Sequence, residues 1–188
     1  MKGFILLEVV KFLNRQYGDT FSADLILSIK ASMKPSINGA YSPIDDYLDK
    51  ALDYLITNAA TLRKMPKAEL SKIIGAYFFS ELSKFNKSWV RCNTNTFDLL
   101  KTHDMAFNEL TRIHLPGFIP LEFSYTEISP DRLDLNYRSN FISGDVAEGL
   151  IAAMFVHYGE KFSIERRCLR AAVDHAENFI LRIKSNSN

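Results

Sequence analysis

Residues 121–158 read LEFSYTEISPDRLDLNYRSNFISGDVAEGLIAAMFVHY, and they hold the change of period that decides the fold class. Leu121–Thr126 and Leu133–Ser139 alternate apolar with polar, the two-residue period of a half-buried strand, around a turn at Ser129-Pro130-Asp131. From Asp145 to Tyr158 the apolar residues Val146, Leu150, Met154 and Tyr158 recur at spacing four, which predicts a helix that Gly159 stops. Phe162–Leu169 and Asn178–Lys184 read as a second strand pair.

Upstream the period is helical. Gly3–Gln16 is apolar almost all round, with only Glu8, Lys11 and Arg15 as a polar stripe, so a largely buried helix is expected, stopped at Gly18. Asp19 or Ser22 can cap a short second helix through Leu27, and residues 33–43 are a loop by their Pro, Ser, Asn and Gly content. A third helix is expected from Pro43 to Ala60, with Asp45-Asp46 in its first turn. A fourth opens at Pro66 with the core stripe Leu70, Ile73, Ile74, Tyr77, Phe78 and Leu82. Residues 84–95 read as a polar connection; a fifth helix begins at a Thr96 cap, carries the seam Leu100, His103, Phe107, Leu110 and His114, and ends before Pro116-Gly117. A helical N-terminal part packed on an antiparallel sheet of about four strands makes the class α+β.

Composition narrows function mainly by exclusion. Lys plus Arg is 23 and Asp plus Glu is 22, so the net charge of +1 removes the whole-chain electrostatic argument for a nucleic-acid or membrane-surface partner. No apolar run reaches the ~20 residues of a spanning helix, and the N-terminus lacks a cleavage-site pattern, so a cytoplasmic protein is expected. Two cysteines, Cys92 and Cys168, build no disulfide framework. There is no phosphate-binding glycine loop, no nucleophile elbow and no His or Cys pair at metal-ligand spacing, so nothing argues for an enzyme. Arg166, Arg167 and Arg170 read as a solvated strand face. Tyr137 and Ser139, at i and i+2, point to one side of their strand; two such hydroxyls either bind a carboxylate or phosphate oxygen or are ordinary strand polarity.

The chain also resembles the heme nitric oxide/oxygen binding (H-NOX) family over nearly its whole length. The resemblance runs through Met1-Lys2-Gly3-Phe4-Ile5, Tyr17-Gly18-Asp19, Gly39-Ala40-Tyr41-Ser42, Ile74-Gly75-Ala76-Tyr77-Phe78-Phe79, Tyr137-Arg138-Ser139 and Ala147-Glu148-Gly149-Leu150, and ends with Cys168 and Asp174-His175. It implies a single domain over 1–188, with a helical lobe to about residue 62 and a lobe with the sheet from about 63. It implies a pocket for b-type heme and coupling to a histidine kinase or a cyclic-nucleotide or diguanylate signalling protein.

Two family features are replaced. The family pattern His-Asp-x-Ile-His-Pro-Glu falls on His103-Asp104-Met105-Ala106-Phe107-Asn108-Glu109, which puts Phe107 at the position of the iron ligand. The propionate motif Tyr-x-Ser-x-Arg falls on Tyr137, Ser139 and Phe141, so the arginine is absent. His103, one helical turn before Phe107, is the substitute ligand if heme is bound. Ile5, Phe78 and Pro120 match apolar pocket positions. Of the zinc-binding set found in some members only Cys168 is present, so no zinc is expected. The implied protein is a regulatory module with impaired or absent heme binding; the alternatives are a gas sensor with rearranged ligation, or a binder of another apolar ligand.

Overall fold

The computed structural model describes residues 3–28, 41, 45–102, 122–168 and 175–184. Its first helix, α1 (Gly3–Tyr17), buries Ile5, Leu6, Val9, Phe12 and Leu13 and ends at Gly18, whose φ of +90° is the left-handed conformation that glycine adopts without cost. The helix α2 (Asp19–Ser28) contains both Asp19 and Ser22, so neither expected cap stands at the position before it; Asp19 is an acidic residue of its first turn.

The third helix, α3 (Ala51–Arg63), begins later than its pattern suggests. Asp45 and Asp46 precede it and do not form its first turn. The Asp45 carbonyl instead accepts the Gly3 N–H at 3.0 Å, satisfying one of the amide groups that the start of α1 leaves without a helical partner.

Helix α4 (Lys67–Phe85) follows Pro66. Its buried face is Leu70, Ser71, Ile74, Gly75 and Phe79; Ile73, expected in the core, is exposed, and Phe79 takes its place. The segment expected to be a connection contains a helix, α5 (Lys87–Cys92), whose Trp89 and Val90 are buried. Asn86 starts it by accepting the Trp89 N–H at 3.0 Å. Two adjacent apolar residues show no period, which is why the pattern hides this turn. Helix α6 (Thr96–Lys101) is capped by Asn95, whose Oδ1 accepts from Asp98 N at 2.8 Å, and not by Thr96. Thr96 is fully buried, and its N–H donates to Glu160 at 3.2 Å. The rest of the expected fifth helix lies outside the described residues.

The sheet consists of β1 (Glu122–Ser129), β2 (Arg132–Ser139), β3 (Phe162–Cys168) and β4 (His175–Ile183), all antiparallel, in the order β1-β2-β4-β3. Between β2 and β3 runs α7 (Gly144–His157). One sheet face carries Leu133, Leu135 and Tyr137 from β2 and Phe179 and Leu181 from β4, all buried, as the two-residue period requires. Helix α7 touches β3 and β4 and also packs along α4.

The α4–α7 crossing is built on glycine. A Cβ at Gly75 would collide with the Val146 carbonyl oxygen and lie 2.7 Å from Leu150 N. One at Gly149 would collide with the Lys72 carbonyl oxygen and lie 2.5 Å from Lys72 Cα. Each helix presses backbone against the other's glycine. Both glycines belong to the segments that carry the family resemblance.

Candidate functional site

Five of the expected pocket residues, Ile5, Phe78, Tyr137, Ser139 and Phe141, are among the described residues. Ile5, Tyr137 and Phe141 belong to one buried apolar cluster, and the half-buried Phe78 packs against it. His103, Phe107 and Pro120 lie outside the described residues.

The strand period sends Tyr137 inward, where its side chain is 1% exposed. It packs against Phe123 of β1, with ring centroids 5.5 Å apart, and edge-on to Phe179 of β4 at 6.1 Å. Its hydroxyl donates to the Ile142 carbonyl at 2.7 Å. Ser139 Oγ accepts the N–H groups of Phe141 and Ile142 at 3.3 and 3.1 Å. Burial pushes the Tyr137 phenol well above its ordinary value; a hydrogen bond from Ser139 opposes that shift, and the Glu177 charge adds to it.

Both hydroxyls therefore hydrogen-bond within the turn from β2 into α7. The hydroxyls do share a face, and on it they serve the protein's own backbone. Phe141, in the same turn, is buried.

On the helical side, Tyr77 of α4 stacks on Phe12 of α1 at 4.5 Å and donates to Glu8 at 3.1 Å. Burial first, and then Glu8, push its phenol up to about 12.

Sequence reasoning missed the charged cluster beside Tyr137. Arg166 and Arg167 are exposed on β3, as expected, and Arg170 lies outside the described residues, but Arg166 is also ion-paired. Its guanidinium stands 2.6 Å from Asp145 and 3.5 Å from Glu148 on α7, and 2.9 Å from Glu177 on β4. Glu148 also pairs with Lys72 of α4. No sequence spacing flags these contacts, because the residues come from four elements. Among the described residues no group of three or more His, Cys, Asp or Glu side chains could hold a metal ion. No helix among them is long and apolar enough to cross a membrane.

The fold and these motifs define a class, and comparison with known proteins names it. The Haem-NO-binding family model matches residues 2–166, so the chain belongs to that family. Three solved structures show the same fold. The Fe(II) unliganded H-NOX protein from K. algicida is 18% identical, covers 100% of this chain and 99% of its own, and has a TM-score of 0.84. The I5F mutant of T. Tengcongensis H-NOX is 17% identical, with 100% of both chains covered and a TM-score of 0.81. The S. oneidensis H-NOX protein in its Fe(II)NO state is 17% identical, covers 98% of this chain and 100% of its own, and has a TM-score of 0.81. No curated protein matches the chain in sequence.

The family implies heme, an apolar macrocycle carrying two propionates. Ile5, Tyr137 and Phe141 are apolar core residues with Phe78 packed against that core, a character compatible with the macrocycle. At the Tyr137–Ser139 end, both hydroxyls make hydrogen bonds within their own turn, and position 141 is phenylalanine.

Proposed function

We propose that this chain is an H-NOX regulatory domain without catalytic activity, in which conventional heme binding is impaired or absent. It acts in the cytoplasm through a signalling partner, a histidine kinase or a cyclic-nucleotide or diguanylate protein. It forms one domain over 1–188, its helical lobe ending near residue 62, where Lys64 takes the left-handed backbone (φ 53°) that closes α3.

The observation that carries this reading is the latch at the β2–α7 turn. The two hydroxyls that match the propionate motif are spent on Ile142 and Phe141 backbone groups, and the third position is the apolar Phe141. The substitution at Phe107 points the same way, since a phenyl ring has no lone pair to give iron.

The test is an absorption spectrum of the purified protein before and after addition of hemin, beside Phe107→His and Phe107→His/Phe141→Arg. The expected result is no specific Soret band in the unmodified protein and a sharp one in the double variant. A sharp band in the unmodified protein that His103→Ala abolishes would overturn this reading in favour of a sensor with rearranged ligation.

A further inference from the structure

The Tyr137 row of the sheet contains a carboxylate of the protein's own. Glu177 is the cross-strand partner of Tyr137 on β4, so their side chains emerge on the same face. Glu177 is only 9% exposed. Three features hold its carboxylate. Arg166 Nε stands 2.9 Å from Oε2. The carboxylate lies against Gly144, the first residue of the fourteen-residue helix α7, and the dipole at a helix start favours an anion. Position 144, the first residue of α7, is glycine, and a Cβ there would collide with Oε1, Cδ and Oε2 together. The carboxylate thus fills the space a side chain at 144 would take.

We propose that Glu177 occupies, from within the fold, a carboxylate seat built by Arg166, Gly144 and the start of α7 beside Tyr137 and Ser139. A ligand carboxylate arriving at this end of the cluster finds the cation, the helix terminus and both hydroxyls already engaged. It also meets a buried negative charge. The site therefore discriminates against carboxylate-bearing ligands, and Glu177 is the residue that sets this specificity. The inference deepens the reading above and rests on it only in taking the Tyr137–Ser139 end as the polar end of the pocket.

The seat can be tested without heme. The unmodified protein, Glu177→Ala and Glu177→Gln are melted in rising sodium acetate and in sodium chloride of matched ionic strength. The Ala variant keeps the Arg166 pairs with Asp145 and Glu148 but leaves a carboxylate-sized space at its Nε, so it melts lower in chloride and is raised by acetate, with saturation, as a ligand that binds only the folded state requires. The unmodified protein and the Gln variant, whose seats are filled, show no gain from acetate over chloride. If the Ala variant does not fold in chloride, recovery of a cooperative transition in acetate supports the proposal, and failure to recover overturns it. Equal melting of the Ala variant in the two salts also overturns it. A Soret band would count against the functional reading alone, because the melting experiment reads the seat and not the iron.

Discussion

Replacing Gly75 by alanine isolates the contact on which the helical layer meets α7. In an ordinary helix interior this change stabilises by about 0.5–1 kcal/mol, because glycine loses more backbone freedom on folding. Here the new Cβ would collide with the Val146 carbonyl, lie 2.7 Å from Leu150 N and 3.0 Å from Val146 C. All three are backbone atoms of another helix, so no side-chain rotation relieves the contact. The two helices must separate by roughly 1 Å, and overpacking of this kind costs about 1–3 kcal/mol or somewhat more. Taking the upper end for a backbone obstacle, the net expectation is a loss of about 2–3 kcal/mol. That lowers the melting temperature by roughly 5–10 °C in a chain of this length. Urea denaturation followed by circular dichroism measures the free energy directly. Gly149→Ala, opposed by Lys72 backbone, is expected to cost a similar amount. The double variant should cost less than the sum, since one separation relieves both contacts. A Gly75→Ala protein more stable than the original, or fully additive costs in the double variant, would refute the close-crossing argument.

Tyr137→Phe is expected to destabilise by about 1–3 kcal/mol, because it leaves the buried Ile142 carbonyl without its donor; a chemical melt showing no loss would contradict the latch. Asn95→Ala should cost about 1 kcal/mol through loss of the α6 cap, read in the same assay. Tyr41 and Tyr77 are both pushed up to about 12 from an ordinary 10, chiefly by burial. Their neutral forms are thus favoured in the fold, so their stabilisation is whole below pH 10. It falls as the pH rises from 10 towards 12, where the unfolded chain ionises first. Denaturation curves across that interval should show the decline, and a flat stability there would sink the assignment.

The elements whose faces are set by local period were legible before any tertiary contact was known. The alternation of Leu133, Leu135 and Tyr137, the stops at Gly18 and Gly159, and the four-spaced Val146, Leu150 and Met154 all stand in the structure. Where two signals competed, the pattern misled. Asp45-Asp46 looks like a helix start, yet the Asp45 carbonyl is drawn to the amide of Gly3, a partner far away in sequence. Ile73 fits the stripe of α4 as well as Phe79 does. The close approach of α7 at Gly75 turns the buried face so that Phe79 is covered and Ile73 is not.

The candidate site divides in the same way. Residue identity alone determines that position 107 carries a phenyl ring and position 141 another, and with them what chemistry those positions lack. The i, i+2 spacing determines that Tyr137 and Ser139 share a face. Only the tertiary structure decides what meets them there. Strand register brings Glu177 opposite Tyr137, β3 carries Arg166 to the start of α7, and glycine at 144 leaves room for the carboxylate. Periodicity reports which way a side chain points. Hydrogen bonds and ion pairs depend on which atoms stand within about 3 Å, and for residues from different elements that distance is set by how helices and strands pack.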